Sequence, residues 1–216
     1  EQPRASTEKM QAWDKVSTGA LAAGAAIAAG LGFAGKAAME WESAWTGVLK
    51  TVDASPRQFE VLEDQLKELA RTLPASATEI AAVAENAGQL GIRADDIGRF
   101  TKTMINLGEA TNLTADEAST AIAQIANIMG TTGEDIDRFG AALVALGNNG
   151  ASTERDIVQM AQRIAASGKL VGLNETDILA YASALSSVGI EAEAGGTAIS
   201  QSFTQISNAV DQGGQK

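Results

Sequence analysis

Asp96-Ile-Gly-Arg-Phe-Thr-Lys-Thr-Met-Ile-Asn-Leu-Gly108 and Asp177-Ile-Leu-Ala-Tyr-Ala-Ser-Ala-Leu-Ser-Ser-Val-Gly189 decide the fold. The second segment repeats the acid, the apolar positions and the closing glycine of the first, at an offset of 81. Apolar residues at 97, 100, 104 and 107 follow the 3-4-3 spacing of one α-helical face. The same shift carries Ala118, Ile122 and Ile125 to Ile199, Phe203 and Ile206. Earlier in the chain the offset is 77, taking Leu62 to Phe139, Leu66 to Leu143, Leu69 to Leu146 and Ile80 to Ile157. The register changes around Lys169-Leu170-Val171, which predicts an insertion in a loop. A fixed period of this size points to stacked helical units rather than to one enzyme pocket.

Working outward, caps punctuate the chain. Ser55-Pro56 with Gln58, Ser76 with Glu79, Thr114 with Glu117, and Thr153 with Asp156 have the spacing of capping boxes. Thr132 and Asn174 stand before two more apolar runs. Pro74 and the glycines 91, 108, 130, 147, 168 and 189 are expected to stop helices. The last helix is predicted over about 196–209. The expectation is an all-α protein: a long Ala/Gly-rich helix within 1–50, then two tandem units of about four short antiparallel helices each, over 51–130 and 131–216.

Composition narrows the function classes. Of 216 residues, 45% are hydrophobic but only 4% aromatic, so alanine carries much of the packing. There is no cysteine and no histidine, which removes disulfides, thiolate metal sites and every His-dependent nucleophile or zinc scheme. No cofactor or metal is expected. The net charge is −11, and residues 1–50 are balanced, so residues 51–216 carry the whole excess. Such a surface repels phosphate backbones and speaks against sequence-specific nucleic-acid binding.

The acids have a structural reading. Glu79, Asp95, Asp96, Asp116, Glu117, Asp156 and Asp177 sit in first turns, where they favour the positive helix N-terminus. Glu134, Asp135 and Asp137 lack the spacing and glycine of a calcium loop and read as a solvated helix start. Glu85, in an Ala-rich helix, is the one acid that is not an obvious cap, and it lacks the second acid a glycosidase needs. No catalytic residue is assigned.

The first segment carries the other candidate residues. Residues 7–45 read as one helix, and Val16 to Gly35 contains no charge. Twenty residues span about 30 Å, the thickness of bilayer hydrocarbon. Trp13 on one side and Trp41 and Trp45 on the other suit interfacial aromatics. Ala20, Gly24, Ala28 and Gly32 form a small-residue ladder for close helix packing. The same composition suits an Ala-rich helix in a soluble bundle, so both readings stand. Trp45-Thr46-Gly47 is a W-x-G tripeptide, as found in the turn of small secreted helical hairpins, although those are about half this length; Trp45 is expected to pack the long helix onto the first unit. The start at Glu1 reads as that of a fragment of a longer product.

Three blocks carry a family resemblance: Pro74-Ala-Ser-Ala-Thr-Glu-Ile-Ala-Ala-Val-Ala-Glu-Asn-Ala-Gly-Gln-Leu-Gly-Ile92, Leu146-Gly-Asn-Asn-Gly-Ala-Ser-Thr-Glu-Arg-Asp-Ile157, and Ala184-Leu-Ser-Ser-Val-Gly-Ile-Glu-Ala-Glu-Ala-Gly-Gly-Thr-Ala198. In this order they resemble the amino-terminal conserved region of phage tail tape measure proteins, the minor tail proteins of long-tailed phages. The resemblance runs from about Ala38 to Phe203. It implies a non-enzymatic scaffold that sets tail length during assembly and is ejected to help DNA into the cell. It implies as partners the tail tube protein, tail-tip or baseplate hub proteins, tail assembly chaperones and further copies of itself. It places the chain in the virion tail lumen or tip, in the host cytoplasm during assembly, and at a host membrane on ejection. A membrane-inserting translocation element and a peptidoglycan-hydrolysing module are the alternative functions.

Overall fold

A computed structural model describes residues 36 and 38–213, and every regular element among them is helical. The chain divides into two units, Glu1–Ser43 and Ala44–Lys216. The described residues of the first unit are helical. The second opens with the end of helix α1, over 44–51. It continues through α2 (Pro56–Thr72), α3 (Ala77–Gln89), α4 (Ala94–Ala110), α5 (Ala115–Met129), α6 (Gly133–Asn149), α7 (Glu154–Leu170), α8 (Glu175–Ser187) and α9 (Ala192–Gly213).

The caps start these helices largely as the sequence predicts. Ser55, Thr114, Thr153 and Asn174 each accept from the N3 amide, and the N3 side chain accepts in return from the cap amide. Ser76 accepts from the Glu79 amide, whereas Arg93 and Thr132 cap through backbone geometry alone. Gly130, at φ 83°, closes α5 in the left-handed conformation that glycine adopts without cost.

Several expected boundaries move. Gly108, Gly147 and Gly168 lie inside α4, α6 and α7, not at their ends. Gly108 shows why: a Cβ there would lie 2.9 Å from the Ala115 backbone nitrogen, so the glycine serves close helix approach. The residues around Lys169 lengthen α7 instead of forming a loop. The last helix begins at Ala192 and reaches Gly213. Trp45-Thr46-Gly47 lies within α1, not in a turn, because the apolar face of Trp45 continues through Val48 and Val52, 0% and 7% exposed.

Packing sorts the helices into two rows. α2 packs on α4, α4 on α6, and α6 on α8; α3 packs on α5, α5 on α7, and α7 on α9. At the head of the odd row, α1 meets α3 where Gly47 faces Glu85 and Gly88 faces Thr51 and Val52. The core lies between the rows. This is the arrangement of a repeat protein, in which each helix hairpin buries its apolar face against the next. Even helices are capped at Ser55, Arg93, Thr132 and Asn174, in steps of 38, 39 and 42 along the numbering. Odd helices are capped at Ser76, Thr114 and Thr153, in steps of 38 and 39. The sequence offset of 77 to 81 is therefore two structural steps, and packing runs on across residue 130 through α4–α6 and α5–α7.

The core obeys the shorter step. Eleven residues after the first three even caps come Leu66, Met104 and Leu143, each 0% exposed. Four residues after each odd cap come Ile80, Ala118 and Ile157, also 0% exposed. The middle residue at this odd-row position is alanine, so there neighbouring steps differ in side-chain size while alternate steps match.

Candidate functional site

The surface features with defined geometry are the polar seams that join one step to the next. Along the even row Gln58 Nε2 donates to Asp95 Oδ1 at 2.9 Å, and the Thr103 hydroxyl donates to Asp137. Along the odd row Asn86 donates to Asp116, and Gln162 Nε2 donates to Gln124 Oε1 at 2.8 Å. Arg163 lies 3.6 Å from Glu193, and Ser200 Oγ donates to the Arg163 carbonyl at 2.9 Å. Asn86, Gln124 and Arg163 each stand ten residues after an odd cap, so one register position performs the same joining task three times.

Among the described residues, the seam with the most hydrogen bonds on one side chain is a clasp between the starts of α5 and α7, built on Arg155. Arg155 forks onto both Glu117 oxygens, and its Nη2 also donates to the Asn112 carbonyl at 2.7 Å. Asn112 Oδ1 in turn accepts from the Arg155 amide at 3.2 Å. Glu117 meanwhile accepts from the Thr114 amide at 2.8 Å. Arg155, followed by the Thr114 bonds, holds the Glu117 carboxyl well below its ordinary 4.5, at about 2. The guanidinium is correspondingly raised by Glu117. A bidentate pair of this kind fixes orientation as well as distance. The Glu117 oxygens are therefore already engaged as acceptors.

Sequence reasoning identified Glu117 as a cap but missed its partner. The available signal was an arginine in a first turn, a position where acids are preferred, standing one structural step after Glu117.

The predicted site residues distribute unevenly. Trp13, Ala20, Gly24, Ala28 and Gly32 lie outside the described residues. Trp41 is half-buried in the first unit. Trp45 packs edge-to-face on Phe59, with ring centroids 6.2 Å apart. Among the described residues no helix is long and apolar enough to cross a membrane.

The acidic candidates have structural surroundings. Glu85 accepts from Gln89 Nε2 at 3.2 Å and sits against Gly47. Asp135 pairs with Arg138 at 2.8 Å, Glu134 with Arg138 at 3.8 Å, and Asp137 with Arg99 at 4.0 Å. Among the described residues no three His, Cys, Asp or Glu side chains group as metal ligands. A groove of about 560 Å³ runs between α4 and α6; its walls include Leu107, Gly140 and Val144, with Lys102 and Asp137 as its charged residues. That lining offers a hydrophobic slot without a pair of acids.

Comparison with known proteins agrees with this scaffold character. Neither the curated proteins nor the solved structures yield a match. A family model described as "Phage-related minor tail protein" matches residues 63–216, which span α3 to α9 and most of α2. The chain belongs to the phage-related minor tail protein family, whose role is structural, within the phage tail.

Proposed function

We propose that this chain is a region of a phage tail tape measure protein and serves as its compact anchoring part. The observation that carries the reading is the conversion of chain length into stack length. A continuous helix advances about 1.5 Å per residue. Here each step between successive even caps advances the row by one helix-to-helix spacing, about 10 Å or roughly 0.25 Å per residue. A segment that shortens its chain about sixfold relative to a continuous helix is poorly suited to metering length. Its joined, acidic surface suits docking and assembly instead. The expected partners are the tail tube protein, tail-tip or hub proteins and assembly chaperones, with several copies per tail.

The test is tail length in electron micrographs. Removing the chain's coding sequence from its phage should abolish tails of defined length. Duplicating residues 94–132 in frame should leave length unchanged, whereas a ruler segment would lengthen the tail by about 60 Å. Normal tails without the chain would refute the tail role; an extension of that size would refute the anchoring role.

A second reading concerns Val16–Gly35, whose uncharged run and flanking tryptophans suit insertion into a host membrane during ejection. Flotation with liposomes tests it, and absence of binding at every lipid composition refutes it.

A further inference from the structure

The groove between α4 and α6 lies inside the stack, with α2 packed on α4 and α8 packed on α6, so its opening does not depend on either end of the row. Its two helices run parallel: Gly133 stands against Asp96 and Arg99 near their starts, and Gly140 against Thr103 and Leu107 further on. The repeat register explains why the groove opens here. Nine and thirteen residues after their caps, α2 exposes Asp64 and Glu68, and α4 exposes Lys102 and Asn106. At the same two positions α6 exposes only Ala141 and Ala145. Gly140 beside them has no room for a side chain, since a Cβ there would lie 2.9 Å from Thr103 Cγ2.

Along α4 the groove extends from Lys102 to Ala110, about 12 Å at 1.5 Å per residue. A helix laid along it reaches that far with three side chains at i, i+4 and i+7, about 10 Å apart from first to last. Leu107 and Val144 supply the apolar lining. On the α6 side, residues 139–153 hold no charge at all, in a chain whose residues are 20% charged. Depletion of charge is what distinguishes the core of an interface from other surface.

Charge at the two ends indicates what fills the groove. Lys102, Asn106 and Glu109 follow one another at i, i+4 and i+7 along α4, so a cation stands at one end of the groove and an anion at the other. Lys102 and Glu109 are exposed, and among the described residues neither has an ion-pair partner. Both α4 and α6 end on the Glu109 side without a basic residue in the last turn, so neither helix offsets its own negative end. Asp137, at the Lys102 end, is already held by Thr103 and Arg99. The complement is a helix that is apolar along one face, acidic over Lys102 and basic over Glu109. An acid in the first turn and a base in the last also stabilise that helix by itself, so it docks parallel to α4 and α6.

We propose that the groove between α4 and α6 docks an amphipathic helix of a partner protein, one with large apolar side chains at i, i+4 and i+7, an acid in its first turn and a lysine or arginine in its last. The proposal is independent of the anchoring role. Fluorescence anisotropy with the full chain tests it. The probe is a labelled peptide of about 18 residues with leucine at i, i+4 and i+7, glutamate in the first turn, lysine in the last, and alanine or glutamine elsewhere. It should bind with a Kd of about 10–100 µM, and a peptide of the same composition with its leucines scattered round the helix should not bind. Ala141→Gln with Ala145→Gln fills the groove with polar side chains at exposed positions; it should weaken binding at least about 10-fold while thermal melts match the parent. Lys102→Glu and Glu109→Lys, each alone, should weaken binding about threefold at low salt and less at high salt. Val61→Gln, at an exposed apolar position on α2, should leave it unchanged. Absence of binding up to about 1 mM overturns the proposal. Binding that is indifferent to the glutamine pair, to both charge reversals or to scattering of the leucines overturns it too. Dimers of the parent that the glutamine pair abolishes would give the groove to a second copy and overturn it as well.

Discussion

Replacing Leu143 by alanine, beside the same replacement at Leu185, tests the stacked architecture directly. Both leucines stand eleven residues after an even-row cap, at the position filled by Leu66 and Met104 in earlier steps. Leu143 is 0% exposed, and its helix packs on α4, α7 and α8. The hole left by truncation is walled by three helices and collapses poorly, so the loss includes transfer and cavity terms, about 3–4 kcal/mol. Leu185 is only half-buried, on the helix with no even neighbour beyond it among the described residues. Truncation there loses part of one leucine's burial and leaves no sealed void, about 1 kcal/mol. At about 2–4 °C per kcal/mol for a chain of this size, the melting temperature should fall by roughly 6–16 °C for Leu143→Ala and roughly 2–4 °C for Leu185→Ala. Urea and thermal unfolding followed by circular dichroism at low protein concentration read both. Equal losses at the two positions would refute the stacked register. A loss under about 1 kcal/mol at Leu143 would refute the sealed core.

Two further perturbations address the joints between steps. Gly108→Ala should destabilise by about 1–3 kcal/mol, measured by the urea midpoint, because overpacking against the Ala115 backbone outweighs the roughly 0.5–1 kcal/mol that alanine gains in a helix interior; a stabilised variant would place α4 and α5 further apart than described. Glu117→Gln should lower stability at neutral pH. Since the folded carboxyl sits at about 2, below its ordinary 4.5, its contribution is full above 4.5 and is lost as pH falls toward 2. The parent and Glu117→Gln curves should therefore converge in acid, and a gap independent of pH would refute the clasp.

Helix starts were legible from sequence because a cap is a local device. Thr114 and Glu117 find each other across a single turn, and no distant residue is needed. Helix ends were less legible. Gly130 and Gly108 both follow an apolar residue, yet one adopts positive φ and ends a helix while the other faces a neighbouring backbone from inside one. Sequence alone does not separate conformational need from close approach. The repeat reads at twice the structural step for a related reason. Ile80 and Ile157 match across two steps, while Ala118 between them is smaller though just as buried. The Arg155 clasp was not legible either, since its partner lies one whole step away.

Apolar spacing, caps, the lack of cysteine and histidine, and the family-like blocks by themselves determined that this chain is helical, repetitive and suited to a structural role. These are properties of single turns and of composition, written along the chain. Tertiary structure alone decided that the helices form two rows and that the steps are joined by polar seams. Those outcomes depend on which helix lies against which, and therefore on side chains one step apart in sequence brought within hydrogen-bonding or packing distance. Tyr181 and Phe139 look alike in sequence; α4 and α8 both pack on the helix of Phe139, whereas among the described residues α6 is the one even helix packed on that of Tyr181.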